Sequence, residues 1–130
     1  MEAANYAVEI AKKNNAQLTA LTITHDPLSS FGLAASPNSS KQAKEKDVHE
    51  SKQWFNKVNE IAQREAVQLR NEIIDAQISV DAAIVEYAEQ TNIDLIIIGT
   101  RGRSGFKRML LGSVASGVVT YATCPVMVIK

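Results

Sequence analysis

The chain is poor in cysteine and aromatic residues, and it has no long hydrophobic run. Its 130 residues include one cysteine, and aromatic residues make up 5%. One thiol cannot form an internal disulfide or a cysteine-ligated metal cluster, which excludes a disulfide scaffold and fits a reducing cytoplasm. The longest apolar run is too short to span a bilayer, and the amino-terminal residues lack the apolar centre of a signal peptide. We therefore expect a cytoplasmic protein with no membrane association.

The chain also lacks an excess of charge of either sign. Lysine and arginine number 14, and aspartate and glutamate also number 14. A general binder of nucleic acid or of membrane surfaces would carry a basic excess, so both classes are disfavoured. Hydrophobic residues reach 45% of the sequence, which argues against disorder. The length suits one domain, expected over residues 1–130.

Helical and strand patterns alternate along the sequence. Helices are predicted at 2–14, 43–66, 80–90 and 113–122, and strands at 17–24, 68–75, 94–99 and 124–130. Residues 25–42, rich in proline, glycine and serine, are predicted to form a loop. The strand "DLIIIG" is apolar throughout, which is typical of a parallel sheet buried on both faces. The order predicts an α/β fold with a mainly parallel sheet.

A glycine-rich basic segment joins the strand ending at Gly99 to the helix that begins at Gly112 and Ser113. Ligands of open α/β sheets bind beyond the carboxyl ends of the strands, and a helix start offers free N–H groups to phosphate. Four positively charged residues lie between Gly99 and Gly112 in the sequence, namely Arg101, Arg103, Lys107 and Arg108. The spacing matches neither a Walker A loop nor GxGxxG. The residues alone leave two interpretations: an anion or nucleotide site, or a solvated basic connector whose glycines serve turns.

The segment resembles a known signature. Its glycines and serine follow the pattern Gly-x2-Gly-x9-Gly-Ser, at Gly99, Gly102, Gly112 and Ser113. This pattern resembles the ATP-binding signature of the universal stress protein family. Residues 83–130 resemble the carboxyl-terminal half of that family almost throughout, including the "CPV" that opens the last strand. The stretch "ANYAVEIAKKNNAQLTALTI" resembles the family's first helix and second strand.

The resemblance implies a flavodoxin-like three-layer α/β/α sandwich with a mainly parallel sheet. It also implies binding of ATP, or of ADP or AMP, alone or with magnesium. The residues expected at this site are Ile98, Gly99, Arg101, Gly102, Arg103, Gly112, Ser113 and Val114. A homodimer is implied as well, through the terminal strand Val126–Ile129. That strand is expected to be an apolar strand at the edge of the sheet, and such an edge needs to be covered from solvent.

The sequence departs from the family at its beginning. The family opens with a central strand and a short turn whose aspartate contacts adenine, and neither is present here. An absent central strand leaves its neighbours with unpaired backbone groups. Three explanations are open: a shortened amino terminus, direct pairing of strands 17–24 and 94–98, or a strand supplied by another chain. We expect a weaker nucleotide affinity than in relatives that have this strand.

Three functions compete at this point. The first is a cytoplasmic stress-response module that binds an adenine nucleotide and acts through its dimer or a partner. The second is a slow ATPase, in which the loop cations stabilise phosphoryl transfer, although no residue is found to orient the attacking water. The third is a dimeric interaction protein without nucleotide. No catalytic residue and no metal ligand is assigned from the sequence.

Overall fold

The computed structural model describes residues 2–25, 37–100 and 112–130. Helices and strands alternate in it as predicted. In chain order they are α1 (Glu2–Asn14), β1 (Leu18–His25), α2 (Pro37–Arg64), β2 (Leu69–Ala76), α3 (Val80–Gln90), β3 (Ile96–Gly99), α4 (Ser113–Tyr121) and β4 (Val126–Ile129). Every predicted helix and strand is therefore present, with shifts of a few residues at the ends. No helix in the described ranges has the length and apolar character needed to cross a bilayer.

The largest difference concerns the start of α2. The helix begins at Pro37 rather than at residue 43, so the predicted loop over 25–42 is wrong for its last six residues. Proline suits the first turn of a helix because its φ is already helical and its missing N–H is not needed there. The serines and the proline of this stretch have the composition of a loop, which concealed the helix start. The first residue of the predicted loop, His25, belongs to β1 instead, and residues 26–36 lie outside the described residues.

The strands pair in parallel, as expected for this class. β1 pairs with β2 from Leu18 opposite Leu69 onward, and β3 pairs with β4 from Ile96 opposite Val126 onward. These are two separate two-stranded sheets. The prediction of a parallel arrangement is confirmed.

The chain divides into two compact units, of which one comprises residues 4–78. In this unit α1 and α2 supply an apolar core to the β1–β2 sheet. Its buried residues are Ala4, Ala20, Phe55 and Val58, with Trp54, Ile61 and Leu69 packed against them. The rings of Trp54 and Phe55 lie 5.3 Å apart. This pair therefore belongs to the core, as the helical spacing predicted.

The second unit comprises residues 1–3 and 79–130. Its core is built from α3, α4 and the β3–β4 sheet around Ala88, Ile96 and Val118. Val118 is completely buried, and Cys124 is a half-buried member of the same core. Ser79 occupies the predicted N-cap position of α3 in an extended conformation, without a capping hydrogen bond from its side chain. The expectation of one domain over 1–130 stays a prediction.

Helices α3 and α4 approach closely at Gly117. A Cβ placed on this glycine would lie 2.8 Å from the Cβ of Asp81 and 2.7 Å from its Cγ. Real Cβ atoms do not come this close to other atoms. A different rotamer of Asp81 could move the carboxylate, but its Cβ is fixed to the backbone of α3. The absence of a side chain at Gly117 therefore sets the distance between the two helices.

We expect Gly117→Ala to lower the free energy of unfolding by about 1 kcal/mol. Alanine in a helix is favoured over glycine by about 1 kcal/mol, whereas overpacking costs about 1–3 kcal/mol, so the steric effect wins. Urea unfolding followed by circular dichroism measures the change. Thr120→Ala, an exposed position of the same helix, is the control and should not destabilise. A stability gain in Gly117→Ala would show that the helices are not held at this distance.

An ion pair joins the end of α1 to the end of α2. The ammonium group of Lys12 donates a hydrogen bond to the carboxylate of Glu65, and both side chains are largely exposed. The hydrogen bond and the positive charge of Lys12 lower the pKa of Glu65 below its usual value of 4.5. A lowered pKa in the folded state stabilises the fold at pH values above the unfolded pKa. That contribution is lost as the pH falls through the folded pKa.

We expect Lys12→Ala to return the pKa of Glu65 toward 4.5. An NMR titration of the Glu65 carboxyl carbon measures this shift directly. The difference in stability between wild type and variant should be present at neutral pH and should shrink as the solution is acidified below 4.5. Lys13→Ala, which removes the exposed partner of Glu9 instead, is the matched control. An unchanged pKa of Glu65 would contradict the interaction.

Candidate functional site

The two ends of the glycine-rich segment lie side by side. Gly99 closes β3 and Thr100 follows it, while Gly112 immediately precedes α4. A Cβ placed on Gly112 would lie 3.6 Å from the carbonyl oxygen of Thr100. The carboxyl end of β3 therefore meets the amino end of α4, which is the arrangement predicted from the sequence.

The residues between these ends, 101–111, lie outside the described residues. The predictions for Arg101, Gly102 and Arg103 concern this part of the chain and stay predictions. The other five predicted site residues are described, and all of them lie at the junction. They are Ile98 and Gly99 on β3, Gly112 before α4, and Ser113 and Val114 in its first turn.

Thr100 ties the junction to β4. Its N–H donates to the carbonyl oxygen of Ile129 at 2.9 Å, and its hydroxyl lies 3.4 Å from the same oxygen. The residue is 8% exposed, so this hydroxyl is a buried polar group with a hydrogen-bond acceptor. Thr100 could not be recognised from the sequence, because a threonine at the end of an apolar strand carries no sign of its partner on another strand.

The start of α4 presents backbone N–H groups that have no acceptor within the helix. The first hydrogen bond of the helix runs from the N–H of Ser116 to the carbonyl oxygen of Gly112, at 2.9 Å. The N–H groups of the three preceding residues, 113–115, have no acceptor within the helix. The first turn contains no acidic residue, so its partial positive charge is not neutralised there. The exposed Ser113 adds a hydroxyl at the same end. This set of groups is suited to an anion.

Neither glycine at the junction is required by the backbone. Gly112 has φ −64° and ψ 159°, an extended conformation open to any residue. A Cβ on Gly99 would make ordinary contacts, 3.7 Å from the Cβ of Ala3 and 3.9 Å from the oxygen of Ile129. The described structure thus has room for a side chain at both positions, unlike at Gly117. A glycine directly before the start of α4 allows a ligand to approach the main chain closely.

Two apolar side chains connect the junction to the hydrophobic core of the same unit. Ile98 and Val114 are half-buried, and both pack against the core formed by Ala88, Ile96 and Val118. They connect the end of β3 and the first turn of α4 to one apolar cluster. The relative position of the two site segments is therefore fixed by packing as well as by the backbone.

A shallow groove occurs in the unit of residues 4–78. It is lined by Asn5, Val8, Glu9, Lys12, Lys13, Ile61 and Glu65. Its two lysines are paired with its two glutamates, so the groove has no surplus charge with which to attract an anion. In the part of the chain that the structure describes, no three metal-ligating side chains come together. The junction of β3 with α4 is therefore the better candidate site.

Comparison with known proteins now identifies the family. The sequence model of the universal stress protein family matches residues 1–130. The chain belongs to the universal stress protein family. Over 130 residues it is 36% identical to universal stress protein MJ0531 of Methanocaldococcus jannaschii. The matched region covers 100% of this chain and 74% of that relative.

Solved structures of the universal stress protein family share the fold. Universal stress protein UspA from Lactobacillus plantarum has a TM-score of 0.78 at 30% identity, covering 99% of this chain and 88% of that one. A universal stress protein from Archaeoglobus fulgidus, solved in complex with dAMP, has a TM-score of 0.72 at 20% identity, covering 98% and 85%. The predicted flavodoxin-like α/β class is thereby confirmed.

We expect Gly112→Ala to leave the free energy of unfolding of the ligand-free protein within about 0.5 kcal/mol of wild type. Replacing a glycine in an ordinary conformation restricts the unfolded chain and stabilises by about 0.4–1 kcal/mol, whereas alanine is a poorer N-cap by a similar amount. Urea unfolding measures the sum. Gly117→Ala serves as the opposite case, since its new methyl group has no room. A large loss in Gly112→Ala would mean that the glycine is needed for folding.

Proposed function

We propose that this universal stress protein binds an adenine nucleotide, ATP or its products ADP and AMP, at the junction of β3 and α4. The observation that carries the proposal is the pair of glycines at which the described residues would tolerate a side chain. One of them, Gly112, directly precedes the N–H groups at the start of α4. Free N–H groups and the positive end of a helix dipole together bind phosphate well.

The proposed role of each residue follows from its position at the junction. Gly99, Gly112 and Ser113 approach the phosphates and the ribose with backbone atoms and one hydroxyl. Ile98 and Val114 form the apolar wall beside them. Arg101, Gly102 and Arg103 complete the site from the segment between its ends, where two cations would neutralise phosphate charge.

The relatives support an AMP-type ligand. The Archaeoglobus fulgidus protein of the same fold was solved with dAMP. At 20% identity this comparison shows that the scaffold is shared. The specific support for this chain comes from its own pattern, Gly-x2-Gly-x9-Gly-Ser, and from the geometry at both ends of that pattern.

We assign binding and signalling to the site rather than catalysis. Phosphoryl transfer to water needs a group that orients the water, and it usually needs a metal held partly by carboxylates. The described residues at the junction, 98–100 and 112–116, include no carboxylate. The donors that are present fit the nucleotide, and they do not fit a magnesium site of the protein's own. A slow ATPase is thus the weaker reading.

The proposal includes a homodimer in the cytoplasm. The four residues of β4, Val126–Ile129, are half-buried and apolar, and among the described strands β4 pairs with β3 alone. A second copy of the chain would cover this terminal strand. The cytoplasm is proposed from the composition, since the chain has one cysteine.

Native mass spectrometry and calorimetric titration with ATP test the nucleotide proposal. We expect wild type to bind ATP and Gly112→Ala to bind it at least tenfold more weakly, because a methyl group would occupy the space of the approaching phosphate. A tenfold loss corresponds to about 1.4 kcal/mol. Thr120→Ala, at the other end of the same helix, is the control and should retain full affinity.

Two results would argue against the proposal. Equal ATP affinity of wild type and Gly112→Ala would place the nucleotide elsewhere on the protein. A wild-type protein that neither retains a nucleotide in native mass spectrometry nor binds ATP in calorimetry would remove nucleotide binding. A concentration-dependent dimer with no nucleotide would then favour an interaction protein.

A further inference from the structure

We propose that Thr100 is a positioning residue, whose hydroxyl holds the amino end of α4 in the geometry that binds the phosphates. The proposal rests on the function proposed above. It adds a residue that is not part of the glycine pattern and that is not expected to touch the nucleotide.

Thr100 connects three elements at one point. It follows the last residue of β3, and its N–H and its hydroxyl both approach the carbonyl oxygen of Ile129, the last residue of β4. Its own carbonyl oxygen lies near Gly112, 3.6 Å from where a Cβ on that glycine would lie. The orientation of one residue therefore sets the distance between the sheet and the start of α4.

The hydroxyl is what distinguishes threonine from valine at this position. The two side chains have nearly the same shape, and both are branched at Cβ, so valine would preserve the packing of a residue that is 8% exposed. Valine would lose the second hydrogen bond to Ile129, while the backbone bond would remain. The peptide of Thr100 could then rotate more freely about its contact with Gly112.

This rotation matters because the phosphate donors are backbone groups. The N–H groups of 113–115 point in the direction that the start of α4 imposes, and Gly112 is the residue at which that direction is set. A binding site made of backbone dipoles depends on preorganisation, since the donors cannot adjust individually as side chains do. A looser Thr100 should therefore weaken binding without removing any ligand contact.

Two substitutions separate positioning from packing. Thr100→Val keeps the shape and loses the hydroxyl, whereas Thr100→Ser keeps the hydroxyl and loses a buried methyl group. We expect Thr100→Val to bind ATP about threefold more weakly, because a hydrogen bond of 3.4 Å contributes at the low end of the range for one neutral bond. We expect Thr100→Ser to stay within about twofold of wild type in affinity while having the lower melting temperature. If Thr100 merely stabilised the fold, affinity would follow melting temperature in both variants.

Amide hydrogen exchange provides a readout that needs no ligand. The N–H of Ser116 is bonded to Gly112, and it should exchange faster in Thr100→Val than in wild type or Thr100→Ser. The N–H of Ala122, bonded to Val118 at the other end of α4, is the internal reference and should not change.

The outcomes distinguish this proposal from the function on which it rests. Wild type and Thr100→Val with equal affinity for ATP, or with equal exchange at Ser116, would overturn the role of Thr100 while leaving nucleotide binding intact. A wild type that does not bind ATP would remove the nucleotide function. The exchange rate at Ser116 would still decide whether Thr100 holds the start of α4.

Discussion

The parallel pairing of β3 with β4 is the interaction on which the candidate site depends. It runs from Ile96 opposite Val126 to Gly99 opposite Ile129, and the bond from the N–H of Thr100 extends it by one residue. Because both strands end at the same edge, the chain leaves the sheet at a fixed point. The helix α4 returns to that point at Gly112. Without this pairing, the glycine pattern would be a set of residues in sequence and not a site.

Much of this arrangement could be predicted from the sequence. The apolar run before Gly99 and the Gly-Ser pair before an apolar helix locate both ends of the site, since each pattern is local. The contact between Thr100 and Ile129 could not be predicted, because it joins residues 29 positions apart through a side chain that fits many environments. The early start of α2 was also hidden. Pro37 is compatible with both a helix start and a loop, so its residue type does not decide between them.

The glycines of the second unit show why the residue type alone does not reveal a role. Gly117 lacks a side chain because Asp81 occupies the space, so its role is structural. Gly99 and Gly112 have room for a side chain in the described structure, so the fold does not explain them. All three lie in one short region of the sequence, where nothing in the neighbouring residues distinguishes their roles. Only the distances to their neighbours show which of these glycines the packing of the described residues requires.

The two parallel strand pairs also differ in how far apart their members lie along the chain. Hydrogen-bonded partners across β1 and β2, such as Thr24 and Ile74, are 50 residues apart, whereas Thr100 and Ile129 are 29 apart. For a flexible chain, closing the longer of these two loops costs about 0.5 kcal/mol more. Contacts that are closer in sequence also form faster during folding. Loop-closure entropy alone therefore favours the β3–β4 pair, which forms the base of the candidate site, over the β1–β2 pair.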